Sequence, residues 1–200
     1  MTKKIWMPVL AILLACAILL GAYNGLLAVR QARDAAELTA KMQTILPGSQ
    51  EFTPEEYTGE DANIRSVYKG ETGFVVETVT YGYAGNITML IGVSNEGKVT
   101  GLQIRQMQET HGLGAQALTD VDFLSQFLNT TGNVAIATSG EDAFSGATAK
   151  PAEGENIEEV YVDGISGATV TSKAVARSIN SAVAFVTGAD IATTATKWGE

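Results

Sequence analysis

The stretch IWMPVLAILLACAILLGAYNGLLAV, residues 5–29, carries no charged side chain, and Asn24 is its one strongly polar residue. A helix rises about 1.5 Å per residue, so this run is long enough to cross a hydrocarbon core of roughly 30 Å with some tilt. Pro8 falls near the first turn, where a missing N–H costs a helix least. Two other readings stand beside an uncleaved anchor. A cleaved signal peptide has a shorter apolar core and a small-residue cleavage site. Leu13-Leu14-Ala15-Cys16 has the shape of a lipoprotein signal, but the residues after Cys16 prolong the apolar run instead of opening a polar tether. The uncleaved anchor accounts for the whole segment.

Lys3 and Lys4 lie on one side of this helix and Arg30 and Arg33 on the other, so basic residues alone barely orient it. Without Lys3 and Lys4, 11 basic residues face 22 acidic ones, a net charge of about −11. Such a surface is repelled by anionic headgroups and by nucleic acid. The expectation is a single-pass protein of the cell membrane, in contact with the lipid bilayer. Its amino terminus is inside, its soluble domain is extracytoplasmic, and it has no nucleic-acid partner.

Counting removes much familiar chemistry. Cys16 is the sole cysteine and lies in the apolar run, which excludes intrachain disulfides and cysteine-held clusters in the soluble part. His111 is the sole histidine, and no nucleophile elbow surrounds it. A zinc site would lack its usual soft ligands. No catalytic residue and no resident metal ligand is assigned.

Helical spacing continues beyond the apolar run and stops at Pro47-Gly48, giving a membrane anchor over 1–29, a helical stalk over 30–48 and one domain over 49–200. Residues 49–70 are acidic and turn-rich, without a clear element. Strands are expected over 74–81, 86–94 and 98–104, the last two joined by a turn at Asn95-Glu96-Gly97. A short helix follows over 119–128, capped by Thr119 or Asp120, then strands over 133–138 and 157–165 around a loop. Residues 171–188 read as the clearest soluble helix, with a stripe of Val175, Ile179, Ala182, Val183 and Val186 closed by Gly188. The fold class is α+β, a transmembrane helix followed by a domain with a mainly antiparallel sheet and flanking helices.

The chemistry concentrates where strand passes to helix: Asp163-Gly-Ile-Ser-Gly-Ala-Thr-Val-Thr-Ser172. A helix start has unpaired N–H groups and a partial positive charge, which suit a phosphate. Gly164 and Gly167 permit close approach, Thr169 stands at the mouth of the helix, and Thr171 and Ser172 remain as caps. On spacing alone, a threonine or serine just before a helix is most often a cap and nothing more. Asp-x-x-Ser-Gly-Ala-Thr also occurs earlier, ending at Thr148, but Ala149-Lys150-Pro151 follows and no helix can start there.

The segment from Asp163 to Ser172 resembles the flavinylation motif of the FMN-binding domain family. In that family the last threonine of Ser/Thr-Gly-Ala-Thr is esterified to the phosphate of FMN by a flavin transferase that uses FAD and a divalent metal. Glu109-Thr110-His111-Gly112-Leu113-Gly114 is similar to a second family segment, Glu-Thr-Pro-Gly-Leu-Gly, that helps house the flavin, with His111 in the proline's place. Phe123-Leu124-Ser125-Gln126-Phe127 and the Asn95–Gly101 hairpin are family-like too. The resemblance implies covalent FMN on Thr169, with Asp163, Ser166, Gly167, Ala168, Thr171, Glu109, Thr110, Gly112, Leu113 and Gly114 around it. Within the family, size and the single membrane helix point to the G subunit of Rnf-type complexes, which link ferredoxin to NAD and translocate ions. The C subunit of sodium-pumping NADH:quinone oxidoreductases is the next resemblance. The implied role is an electron carrier that completes no reaction alone. Its partners would be the other membrane subunits and the transferase. The alternatives are another extracytoplasmic flavin chain and a flavin-free binding module on a membrane stalk.

Overall fold

The computed structural model describes residues 3–109, 112, 114–137 and 160–189, with side chains from residue 13 onward. Helix α1 (Lys3–Ile45) runs without a break from the apolar segment into the polar one. It ends where Pro47 follows and Gly48 adopts φ 91°, a left-handed backbone that no helix continues. Among the described residues α1 is the one helix long and apolar enough to cross a membrane. Leu13, Leu14, Ile18, Leu19, Leu20 and Leu26 all stand mostly exposed on it. That much free apolar surface is costly in water, and a bilayer is the solvent that removes the cost. Asn24 donates to Leu20 O one turn back at 2.9 Å, so part of its amide is satisfied within the helix. The chain divides into two compact units, Met1–Ala40 and Lys41–Glu200.

In the second unit β1 (Thr53–Glu55), β2 (Ile64–Lys69), β3 (Gly73–Tyr81), β4 (Asn86–Ser94) and β5 (Val99–Met107) form a five-stranded antiparallel sheet in chain order. The Val-, Ile- and Thr-rich runs become β3, β4 and β5, where branched side chains suit a pleated surface. Residues 95–97 close the β4–β5 hairpin, with Ser94 N donating to Lys98 O at 2.8 Å and Gly97 at φ 79°. β1 and β2 fill part of the stretch that composition left unassigned. Only Ile64 and Val67 of β2 enter the core, so its apolar signal is thin.

Register separates the two sheet faces. Val76, Ile87, Met89, Ile91, Val93 and Val99 belong to the main core. The opposite face receives the last turn of α1, where Met42, Ile45 and Leu46 are buried. Gly92 and Gly101 are cross-strand partners beneath it. A Cβ on Gly101 would lie 2.7 Å from Ile45 Cα, and Thr100 Oγ1 donates to Ile45 O at 2.7 Å. Two absent side chains thus form the notch in which the helix end is bonded.

After β5 come two short helices, α2 (Gly114–Ala117) and α3 (Val121–Ser125), then β6 (Val134–Ala137), β7 (Val160–Asp163) and α4 (Thr169–Thr187). Asp120 caps α3 by accepting from Asp122 N and Phe123 N, as its position suggests. β6 and β7 pair in parallel as a separate two-stranded sheet. α4 packs against both sheets, burying Val175, Ile179, Ala182 and Val183. Its buried polar residues bind outward: Ser178 Oγ shares a hydrogen bond with Thr80 Oγ1 at 2.9 Å, and Asn180 exchanges bonds with Val134 N and O at 2.9 and 3.1 Å. Gly188 closes α4 at φ 68°, donating to Ala184 O. The architecture is the expected α+β arrangement.

Candidate functional site

The start of α4 corrects one expectation. The sequence reading makes Thr171 and Ser172 caps, but the helix begins at Thr169, with Ala168 in the cap position and no side-chain cap. The turn over residues 165–168 explains this. Ala168 N donates to Ile165 O at 2.9 Å with Gly167 at φ 80°, so the chain enters the helix as soon as the turn is complete. Ser172 then works from inside the first turn. Its hydroxyl donates to Ala168 O at 3.0 Å and accepts from Ile165 N at 3.3 Å, fastening the loop to the helix.

The first N–H groups of α4 therefore lack both an intrahelical and a side-chain partner, and they form the positive end of the helix. Residues 167–171 border a cavity of about 320 Å³, completed by Tyr83 and Gly114. Thr169 is half-buried at its edge. Thr171 is only 1 % exposed, and its Oγ1 has no hydrogen-bond partner among the described residues. Buried hydroxyls are normally bonded, so this one fits a ligand atom entering the cavity. Tyr83 stands largely exposed on the turn over residues 82–85, which Gly82 N closes on Gly85 O at 2.8 Å.

Glu109 lies just past β5. Its Oε2 accepts from Ala84 N at 3.4 Å, and its Oε1 is buried without a partner among the described residues. Two glycines make room for it. A Cβ on Gly82 would collide with Oε1, and one on Gly114 would lie 2.5 Å from Oε2 and 2.8 Å from Thr171 Oγ1. Glu109, Gly114 and Thr171 thus converge from three segments. Gly112 is exposed at φ 90° with open space around its α-carbon, so it serves the turn and not a close approach.

Ser166 and Gly167 are exposed and Ala168 is buried. Asp163 is exposed, and its backbone is held by an amide clamp: Asp163 N donates to Gln126 Oε1 at 3.0 Å and Gln126 Nε2 donates to Asp163 O at 3.4 Å. Thr110, His111 and Leu113 lie outside the described residues, as does the earlier copy of the motif with Thr148. Among the described residues no three acidic, histidine or cysteine side chains gather as a metal site. Arg177, two turns along α4, is half-buried, and desolvation lowers its guanidinium pKa from the ordinary value. Sequence reasoning missed Gly82, Tyr83 and Gln126. An aromatic between two glycines in the Tyr-Gly-Tyr-Ala-Gly segment was the available signal for Tyr83.

An uncapped helix start and an unpartnered hydroxyl beside one cavity fit the phosphate of a phosphorylated cofactor. The FMN-binding domain family matches residues 82–184, a span holding every element of the cavity. The chain is 30% identical to the G subunit of the ion-translocating oxidoreductase complex of Methanosarcina acetivorans, covering 92% of this chain and 94% of that one. It is 34% identical to the G subunit of the Na(+)-translocating ferredoxin:NAD(+) oxidoreductase complex of Acetobacterium woodii, over 56% of this chain and 47% of that protein. The proton-translocating counterpart of Clostridium ljungdahlii is 33% identical over 57% and 53%. The chain thus spans nearly all of the archaeal relative and about half the length of the other two. Among solved structures it is similar to the C subunit of the Na(+)-translocating NADH-quinone reductase of Parabacteroides distasonis, at 21% identity and TM-score 0.45, over 66% of this chain and 64% of that one.

Proposed function

The chain belongs to the FMN-binding domain family, and from that premise we propose that it carries electrons in an ion-translocating membrane oxidoreductase, with FMN held as a phosphoester on Thr169. The carrying observation is the uncapped start of α4. Thr169 stands there at the cavity edge, and Thr171 turns an unpartnered buried hydroxyl toward the same space. FMN supplies one- and two-electron chemistry when bound, and the protein tunes it through hydrogen bonds and nearby charge.

Each residue's part follows from its position. Thr169 would hold the phosphate tail through its Oγ, as an ester that a flavin transferase with a divalent metal would build from FAD with AMP as the leaving group. The N–H groups opening α4 would neutralise the phosphate, and the turn through Ser166, Gly167 and Ala168 would present them to it. Asp163, clamped by Gln126, sets the entry of the loop. Gly114 permits close approach, Tyr83 offers an aromatic rim, and Thr110, Gly112 and Leu113 complete the second segment. An ester on the tail leaves the ring's electronics to the cavity and keeps the cofactor from diffusing away outside the cytoplasm.

The curated relatives are subunits of ion-translocating oxidoreductase complexes, two of them named for ferredoxin and NAD(+). The proposed partners are therefore the other membrane subunits of such an Rnf-type complex. α1 is assigned as the single span, residues 1–29 as anchor, 30–48 as stalk and 49–200 as the FMN domain, extracytoplasmic like its acidic surface suggests. Intact mass of the full chain, matured with a flavin transferase, tests the core of this. Addition of one FMN is expected in the parent and in Thr148→Ala, and none in Thr169→Ala. A bare mass in the parent would leave a flavin-free binding module instead.

A further inference from the structure

We propose that Glu109 sets the reduction potential of the flavin on Thr169, acting from behind the cavity wall as a fixed negative charge. The inference rests on the FMN reading above. Glu109 does not line the cavity; it sits against Gly114, which does. Its carboxylate has one long backbone donor, Ala84 N at 3.4 Å, and a buried Oε1 without a partner among the described residues. The room it occupies exists because Gly82 and Gly114 lack side chains, so a side chain on either residue would exclude it.

A charge so placed is weakly screened, because Oε1 is buried and has no partner among the described residues. Reduction adds negative charge to the flavin ring, and a neighbouring carboxylate raises the energy of that form more than of the oxidised one. The potential is therefore held low. Glu109 touches no reacting atom; its charge acts through space, past Gly114 and Thr171.

Glu109→Gln keeps the shape and an acceptor for Ala84 N while removing the charge. In the full chain matured with the transferase, at fixed pH and salt, the oxidised–reduced equilibrium is expected to move at least tenfold toward reduction. That corresponds to about 30 mV upward for a two-electron couple. Glu109→Asp keeps the charge and should stay within that tenfold of the parent. A flavin-loaded Gln variant with unmoved potential, or an Asp variant shifted as far as the Gln one, overturns the inference. Mass spectrometry of the same samples separates the two failures. A parent without FMN removes the FMN reading and this inference with it, whereas a loaded chain with unmoved potential removes this inference alone. If the Gln variant loads poorly, melting of the flavin-free chains decides: Gln above the parent supports an uncompensated charge, and Gln below it overturns one.

Discussion

Glu77 and Glu109 each turn a carboxylate oxygen out of solvent, yet the chain itself answers only one of them. Glu77, on β3, is 4 % exposed, and Arg105 Nη1 on β5 donates to its Oε1 at 2.8 Å. Glu109, beyond the end of β5, has a single long backbone donor and an orphaned Oε1. The first sits on the sheet face that receives the end of α1, the second beside the cavity at the start of α4. A folded chain tolerates an unsatisfied buried oxygen where ligand or function supplies what packing does not. The same residue type is therefore answered by the fold in one place and, on the proposed reading, left for a ligand in the other.

Removing the ligand's attachment would separate the two most sharply. Thr169→Ala is expected to abolish covalent flavin entirely while leaving the Glu77–Arg105 pair and the urea midpoint of the bare chain nearly unchanged. Fluorescence surviving denaturing electrophoresis and urea denaturation read the two halves of that statement. Flavin persisting in this variant would dissolve the contrast, because the site would then lie elsewhere.

The structural half breaks next. Arg105→Leu strands Glu77 in the sheet. Breaking a fully buried pair costs 3–5 kcal/mol, and since Arg105 is 40% exposed a loss of about 2 kcal/mol is expected here. Adding Glu77→Leu should recover most of it, because no lone charge remains. Flavin content should stay at the parent level throughout. A loss of covalent flavin with the fold intact would mean that Glu77 serves the site as well.

How far this contrast was readable in the sequence depends on the range of the interactions. Local patterns were legible. The Val175, Ile179, Ala182, Val183 stripe became the buried face of α4, Asp120 capped α3, and the Val- and Ile-rich runs became β3, β4 and β5. β2 was not, since Arg65 and Lys69 flank an apolar signal of only Ile64 and Val67. The start of α4 was misplaced because Thr171 and Ser172 look like caps to a local rule, while the turn over residues 165–168 had already delivered the helix. Glycines are visible in any sequence. That Gly92 faces Gly101 beneath Ile45, or that Gly82 and Gly114 both open onto Glu109, belongs to register and tertiary packing. The motif named Thr169 and Glu109 separately; only the fold sets Thr171 and Glu109 against one glycine.

A smaller effect sharpens the site half in the absence of flavin. Glu109→Gln removes a partly desolvated charge without changing shape, so the bare chain should gain about 1 kcal/mol in urea denaturation. Glu77→Gln in the same experiment should lose stability, since Arg105 would keep its charge without a partner. Opposite signs for one chemical change at two positions are the content of the comparison. Equal signs would reduce both carboxylates to ordinary packing.

The smallest expected effect is at Thr171. Thr171→Val replaces an orphaned hydroxyl by a methyl of nearly the same shape, and the two residues have similar helix propensities, so the helix term cancels. In the bare chain the change removes a buried polar group that gains nothing, worth a stabilisation of about 0.5–1 kcal/mol. In the flavin-loaded chain the same hydroxyl has a ligand atom to bond, so the gain should vanish or reverse. Thermal melting of parent and variant, each bare and loaded, closes a cycle whose coupling is expected at about 1 kcal/mol. A gain of equal size in both states would mean that the hydroxyl never meets the ligand, and that the cavity holds its cofactor through the helix start alone.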